Sequence, residues 1–320
     1  MIETSQTPRT TLGVPQGRPP DWLRGILAAN EQSPIYVPAE IPLDLVMHWA
    51  SLWDPLTRRA APRVLAYTGP PGTGKSATIR EALRRLDVHV EEIPASSLES
   101  EMAGRPGELL RAALGRAAAR QAKKQPVTLY LDELDLALGD FGATPSGNHQ
   151  YTMSAFMEIA DGRTGNVTDP IPMIVTANNL SRVYPVATRE GRLRIRRWRL
   201  NDRAFARIVG HIHRSSLSDR QIEWLLDGRI DGPRERNETT EMPVELRKPE
   251  TLAEHAQLQC IIQETRIRRL CDRLPPRPVH AILRGDLRSA GRNTITDEDL
   301  SAALLRFTQE REGRQDFTAT

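Results

Sequence analysis

Short apolar runs alternate with amphipathic stretches through the middle of the chain. The apolar runs predict buried strands over 64–68, 88–93, 127–131 and 172–178. The stretches between them have helical spacing, over 77–86, 105–121 and 151–160. Strands that alternate with helices predict an α/β fold with a parallel, doubly wound sheet. In such a sheet, ligands bind at the carboxyl ends of the strands.

From residue 201 onward the pattern is helical throughout. Helical spacing is found over 204–215, 219–226, 252–271, 279–290 and 297–307. The domain organisation predicted from these patterns is a mobile N-terminal segment over 1–35, an α/β domain over 36–200, a helical domain over 201–312 with a charged, proline-containing insertion near 228–250, and a tail over 313–320. We expect two domains, because the chain is too long for one small core.

Composition narrows the class of protein. Of the 320 residues 39% are hydrophobic, and no apolar run approaches the length of a membrane span. Cys260 and Cys271 are too few for a disulfide framework and too far apart for a zinc pattern. We therefore expect a cytoplasmic protein without a membrane segment. The net charge is only +3, so nucleic-acid binding would require the arginines to gather on one face.

One loop carries the clearest chemical signal. It follows the first predicted strand, precedes a helix and fits the phosphate-loop pattern of Gly, four residues, Gly-Lys-Ser. Its residues are Gly69, Pro70, Pro71, Gly72, Thr73, Gly74, Lys75 and Ser76. Backbone N–H groups of such a loop bind a triphosphate. The lysine binds its β- and γ-phosphates, and the serine hydroxyl holds the Mg²⁺ that accompanies it. The sequence therefore predicts a site for ATP and Mg²⁺.

Polar residues follow two later strands. Asp132 and Glu133 come after an apolar strand, where the first acid can hold Mg²⁺ through water and the second can activate the attacking water. Asn178 closes the next strand, where its amide could orient that water. Strand ends also carry asparagine for reasons of turn geometry, which is the alternative for this residue.

Two arginines, Arg189 and Arg192, lie three residues apart in a loop that leaves the sheet. They could reach the γ-phosphate on a neighbouring subunit as arginine fingers, or they could be ordinary surface charges. Further arginines follow at alternating positions, as in an edge strand with one solvated face; they are Arg194, Arg196 and Arg199.

The order and spacing of these elements resemble Walker A, Walker B, sensor 1 and the arginine fingers of the AAA+ ATPases. The resemblance implies an AAA+ P-loop NTPase with a parallel five-stranded sheet in the order 5-1-4-3-2 and a C-terminal helical lid. It also implies a homo-oligomeric ring, a hexamer, in which Arg189 and Arg192 act on ATP of the next subunit.

Four stretches carry a narrower resemblance, namely 36–53, 95–104, 151–161 and 174–192. Together they resemble rubisco activase over roughly residues 36–200. Plant activases carry Asn-Asp where this chain has Asp132-Glu133, and the region by which activases recognise rubisco has no counterpart here. By resemblance, Glu101, Met102 and Ala103 occupy the first pore loop, and Arg277 has the setting of sensor 2, which contacts the nucleotide.

The function expected on this basis is an ATP-hydrolysing ring motor that remodels a protein client, either rubisco or another complex. Two alternatives come from other classes of protein. One is an AAA+ ATPase that acts on or with nucleic acid, such as an initiator or transposition regulator. The other is a slow, nucleotide-gated assembly scaffold.

Overall fold

A computed structural model describes residues 19–98, 105–139, 147–163, 169–189, 191–226, 248–273 and 295–318. The chain divides into two compact units. The first, the α/β unit, contains the sheet and extends to Arg199. The second, the helical unit, contains Leu200–Thr320 together with two short segments, Pro34–Tyr36 and Gly72–Gly74. None of the helices within the described ranges is both long enough and apolar enough to cross a bilayer.

The α/β unit is built on one parallel sheet. Its strands are β1 (Val64–Thr68), β2 (His89–Ile93), β3 (Val127–Leu131), β4 (Met173–Ala177) and β5 (Leu193–Arg197). Their order is β2-β3-β4-β1-β5, so the expected order 5-1-4-3-2 is confirmed. The central strands β3 and β4 are buried along their whole length, because helices cover both faces of a doubly wound sheet.

Strand register brings the ends of the central strands together. Val64 pairs with Met173 and Thr68 with Ala177, so β1 and β4 end side by side. Leu131 at the end of β3 pairs with Val175. The residues that follow these three strands therefore share one edge of the sheet.

The described helices of this unit are α1 (Asp21–Ala28), α2 (Glu40–Trp53), α3 (Lys75–Arg85), α4 (Arg105–Ala122), α5 (Leu134–Ala137) and α6 (Gly147–Ala160), with short 3₁₀ turns at Ala29–Glu31, Ala95–Leu98 and Leu180–Arg182. The short α5 has no periodic signal, and the sequence did not predict it. Helix α6 begins at Gly147, four residues before the predicted start. The prediction missed its first turn because those residues are polar and lack apolar spacing.

The segment expected to be mobile over 1–35 is folded in its second half, where hydrogen bonds join it to α3. The Arg85 side chain is 3% exposed and donates to Glu81 at 2.8 Å and to Asn30 at 2.7 Å. Ser33 donates to Glu81 at 2.7 Å. Hydrogen bonds from Arg84, and then from Arg85 and Ser33, lower the pKa of Glu81 to about 2, although burial opposes this. Glu81 is therefore a charged junction between the N-terminal segment and α3.

Strand β5 pairs with β1 alone among the described strands, as the edge-strand interpretation expected. The prediction of solvated arginines is wrong for one of them. Arg196 donates through Nε to Asp44 at 2.8 Å, and Asp44 also accepts a hydrogen bond from Tyr67 at 2.9 Å. Asp44 is buried, so the guanidinium compensates a carboxylate that α2 brings onto the sheet.

The helical unit contains α7 (Asp202–His213), α8 (Asp219–Leu226), α9 (Leu252–Arg273) and α10 (Asp297–Thr318). The last helix continues to Thr318, although a tail was expected from Gly313. Most residues after Phe307 are polar helix formers, so they extend the helix without giving the apolar periodicity that would have predicted it. The predicted helix over 279–290 and nearly all of the insertion near 228–250 lie outside the described residues.

Two histidines are buried in the core of the helical unit. His213 lies 3.2 Å from His255 between ring nitrogens, and its Nδ1 lies 2.9 Å from the Gln259 side-chain oxygen. Burial lowers the pKa of His213 to about 4, although the Gln259 hydrogen bond opposes this shift. His213 is therefore neutral at pH 7.

Candidate active site

The loop between β1 and α3 has the backbone that an anion site requires. Gly72 has φ of +71° and Gly74 has φ of +77°, whereas Thr73 between them is not in the left-handed region. Residues other than glycine rarely adopt such φ values, so this backbone conformation requires glycine at both positions. Alternation of this kind turns successive N–H groups toward one point, and α3 begins directly after it at Lys75.

Lys75 joins the loop to the end of β4. Its side chain is buried, and Nζ donates to the carbonyl oxygens of Gly69 at 2.8 Å and Pro70 at 2.7 Å. It also donates to Asn178 Oδ1 at 3.0 Å. Burial lowers the pKa of Lys75, although three nearby carboxylates oppose the shift. Lys75 and Asn178, predicted separately from two distant motifs, are thus in direct contact.

Ser76 and Asp132 form the second contact across the site. Ser76 Oγ donates to Asp132 Oδ1 at 2.7 Å, and the hydroxyls of Thr176 and Tyr130 donate to the same oxygen. Arg80 donates to the other oxygen, Oδ2, at 2.8 Å. Burial alone would raise the pKa of Asp132, but these hydrogen bonds and the Arg80 charge lower it. The carboxylate is therefore held ionised and in one orientation.

The pair of a hydroxyl and an ionised carboxylate fits Mg²⁺, which prefers oxygen ligands and keeps several waters. Within the described ranges no group of three or more His, Cys, Asp or Glu residues could hold a metal ion by itself. Ser76 and Asp132 therefore suit an ion that is also bound by phosphate oxygens, as in nucleotide sites.

Glu133 follows Asp132 in a strained conformation. Its φ and ψ are 57° and 53°, the left-handed region that few non-glycine residues adopt. Its N–H donates to Thr176 Oγ1 at 3.1 Å, and its side chain is exposed. The left-handed turn ends β3 and separates the two acids, so Asp132 is fixed by hydrogen bonds while the Glu133 side chain faces solvent.

Asp135 is a residue of this site that the sequence interpretation missed. It is buried on α5, and its carboxylate accepts hydrogen bonds from the N–H groups of Asn178, at 3.1 Å, and Asn179, at 2.9 Å. These bonds fix the turn after β4 and with it the Asn178 amide. An acid between Leu134 and Leu136 was the available signal, because a carboxylate in an apolar stretch needs buried donors.

The two predicted finger arginines differ in their surroundings. Arg192 is largely buried and makes a bidentate ion pair with Asp161, at 2.7 and 3.0 Å, and it also donates to the Val186 carbonyl oxygen. Arg189 is exposed, and among the described residues no hydrogen bond or ion pair holds its guanidinium. Only Arg189 has a side chain that can reach outward without first breaking an internal pair.

Comparisons with known proteins agree with this geometry. The model of the family described as ATPase family associated with various cellular activities (AAA) matches residues 65–199. The ribulose bisphosphate carboxylase/oxygenase activase of Vigna radiata is 31% identical over 161 residues, 47% of this chain and 36% of that protein. The activase of Nostoc is 31% identical over 179 residues, 52% of this chain and 43% of that protein. Residues 65–199 therefore match an AAA ATPase domain, and over about half of its length the chain is similar to proteins named rubisco activase.

The similarity of this AAA+ chain to activases covers less than half of their length. Activase A of Hordeum vulgare gives the longest of the three matches, 26% identical over 211 residues, which is 62% of this chain and 45% of that protein. The residues that the AAA family model matches, 65–199, contain the site described above.

Some predicted AAA+ site residues lie outside the described part of the chain. They are the pore-loop residues Glu101, Met102 and Ala103, and Arg277 of the predicted sensor 2. Their roles stay predictions. Three described residues around Asp132, namely Arg80, Tyr130 and Thr176, were not predicted, because no AAA+ motif that we recognised includes them.

Proposed function

We propose that this chain is an ATP-hydrolysing AAA+ ring motor that remodels a protein client. The observation that carries the proposal is that side chains predicted from three separate stretches of the sequence meet at the shared edge of β1, β3 and β4. Lys75 bonds to Asn178 there and Ser76 to Asp132, and Glu133 follows Asp132 directly. ATP hydrolysis in general is what an AAA+ domain supports, and the assignment of each residue below is our proposal.

In this mechanism Lys75 exchanges its loop carbonyl partners for the β- and γ-phosphate oxygens, while the loop N–H groups bind the remaining phosphate charge. Ser76 and Asp132 would hold Mg²⁺, which would supply positive charge to neutralise the charge that develops during phosphoryl transfer. Asp132 needs no rearrangement for this role, because its orientation is already fixed.

Glu133 accepts the proton of the attacking water, and Asn178 orients that water. The Lys75–Asn178 contact supports this role, because the amide lies beside the ammonium group that we propose binds the γ-phosphate. Arg189 of a neighbouring subunit supplies the final positive charge at the γ-phosphate, so turnover depends on assembly into a ring, which we propose to be a hexamer.

Two variants test the nucleotide chemistry. Lys75→Ala should abolish ATP binding in calorimetry, because the phosphates lose their direct counterion. Glu133→Gln should bind ATP as tightly as the unchanged chain, yet release phosphate about 10²-fold more slowly or worse, the usual contribution of a general base. ATP binding that survives in Lys75→Ala would contradict the assignment of the loop.

The client is proposed from the activase relatives, whose name says that they act on ribulose bisphosphate carboxylase/oxygenase. Purified carboxylase should bind the Glu133→Gln chain with ATP and not the Lys75→Ala chain, since only the first can stay in the ATP state. Failure of both to bind, with ATP chemistry intact, would mean another protein complex is the client.

The nucleic-acid alternative is less well supported, because Asp44 neutralises Arg196 in the arginine-rich strand. Retention on DNA that weakens steeply with salt would favour it nevertheless. The scaffold alternative predicts turnover well below about one ATP per second even at protein concentrations where rings are complete.

A further inference from the structure

Arg80 occupies an unusual place beside the proposed magnesium site. It lies on α3 four residues after Ser76, so both residues are on the same face of the helix. Ser76 contacts one oxygen of Asp132, and Arg80 contacts the other. A fixed positive charge is thus within hydrogen-bond distance of the carboxylate that we propose holds the water shell of Mg²⁺.

Arg80 also pairs with a second acid, Glu92. Arg80 Nη2 lies 2.6 Å from Glu92 Oε1, and Nε lies 3.2 Å from the same oxygen. The guanidinium carbon is also 4.9 Å from the centre of the Tyr130 ring, which adds a cation–π contact. Arg80 is therefore anchored on two sides and stays next to Asp132 rather than swinging into solvent.

Two electrostatic effects follow from this placement. Without a metal, the guanidinium compensates the Asp132 charge, which would otherwise be half-buried with hydroxyl donors alone. With a metal, the same guanidinium repels the incoming cation and leaves less negative charge to attract it. Both effects favour the metal-free site over the occupied one.

We propose that Arg80 is a built-in counterion of Asp132 that raises the Mg²⁺ concentration the nucleotide site requires. Glu92 acts in the opposite direction, because it draws the guanidinium charge away from Asp132. The site gives up Mg²⁺ more readily than one with an unpaired aspartate, which eases nucleotide exchange. This inference rests on the proposed ATP and Mg²⁺ site.

The test is a Mg²⁺ titration of the binding of a fluorescent ATP analogue to the full chain, starting from EDTA. Arg80→Gln should lower the Mg²⁺ concentration at half-saturation about tenfold, since a like charge next to the site is removed. Glu92→Gln should raise it about threefold, because the whole guanidinium charge then acts on Asp132. The double variant should resemble Arg80→Gln.

Arg84→Gln is the matched control, because Arg84 lies one turn further along α3 and pairs with Glu81 instead. It should leave the midpoint unchanged. A purely structural role for Arg80 and Glu92 would weaken Mg²⁺ binding in both variants, so shifts of the same sign, or no shift, would overturn the inference. If the unchanged chain bound no nucleotide at any Mg²⁺ concentration, the proposed function would fail instead.

Discussion

Two buried polar networks, one in each unit, differ in their state of charge. At the sheet edge of the α/β unit, Lys75 and Asp132 lie among hydrogen-bond partners that keep the Asp132 carboxylate ionised. In the core of the helical unit, His213 and His255 contact each other and Gln259, and burial keeps His213 neutral at pH 7. Both networks are well packed, but only the first retains charge.

The difference separates a site from a core. A buried charged side chain costs free energy unless partners or a ligand compensate its charge. Proteins keep such side chains chiefly where the chemistry of a site requires them. A neutral His213, bonded to His255 and Gln259, has no charge for a ligand to compensate. Of the two buried networks, the one at the sheet edge is therefore the one for which phosphate and metal partners are expected.

The largest expected change in ATP turnover concerns the two arginines Arg189 and Arg192, one exposed and one paired with Asp161. Arg189→Ala should fold and bind ATP but lose about 10³-fold in turnover, the scale of an arginine finger. Arg192→Ala should also turn over slowly, but through loss of the Asp161 ion pair that fixes the loop, so Asp161→Asn should reproduce its defect. Phosphate release at saturating ATP measures all three.

Mixing subunits distinguishes a finger from a local role. Arg189→Ala subunits combined with Lys75→Ala subunits should regain some turnover, since an intact Arg189 can then face an intact Lys75 across an interface. Specific activity of the unchanged chain should rise with protein concentration. Full activity of Arg189→Ala, or activity independent of concentration, would remove the ring mechanism.

An effect of intermediate size is the pH dependence of the free energy of unfolding, which tests whether His213 is neutral. The pKa of His213 in the folded chain is about 4, below the ordinary value of 6.5, so the unfolded state binds more protons between these values. The free energy of unfolding should therefore fall as pH decreases from about 6.5 to 4, by up to about 3 kcal/mol. Denaturant titrations across this range measure it.

Variants assign the acid sensitivity to particular groups. Burial, with the charges of Arg194 and Arg196, also lowers the pKa of His48 in the α/β unit to about 4. His213→Gln and His48→Gln should each remove part of the slope. The stabilisation from Glu81, with its pKa near 2, is lost only below about pH 4.5. An unchanged slope in His213→Gln would contradict a neutral His213.

The smallest effect concerns the carboxylate that supports the charged network. Asp135→Asn keeps the shape but weakens the bonds from the N–H groups of Asn178 and Asn179, so the amide should become less well positioned. We expect turnover to fall about tenfold, with ATP affinity nearly unchanged. Asp54→Asn is the control, since Asp54 accepts an N–H bond in an exposed turn. Equal losses in both variants would mean general destabilisation.

The strands of the sheet and the candidate site residues could be predicted from the sequence, because they depend on local patterns. Strand runs and the phosphate loop are each contained within a few residues, and family resemblance supplied the strand order. The pairs that the sequence did not reveal join distant positions: Arg80 with Asp132, Arg192 with Asp161, and Arg196 with Asp44. Periodicity indicates which face a side chain occupies, but it does not indicate which acid an arginine will meet there.

The left-handed conformation of Glu133 was hidden for a related reason. Its cause is the turn from β3 into α5, in which Thr176 of the neighbouring strand accepts the Glu133 N–H. Nothing in the residues around Glu133 signals this hydrogen bond. The sequence shows that an acid follows β3, while its strained backbone could be found only in three dimensions.

The junction at Glu81 has a practical consequence for anyone who shortens this protein. The family resemblance begins near residue 36, which invites removal of everything before it. Such a deletion would take away Asn30 and Ser33 and leave Arg85, 3% exposed, with fewer acceptors on the helix that begins at the phosphate loop. Versions that start at residue 19 should stay dispersed in expression trials, while versions that start at residue 36 should precipitate.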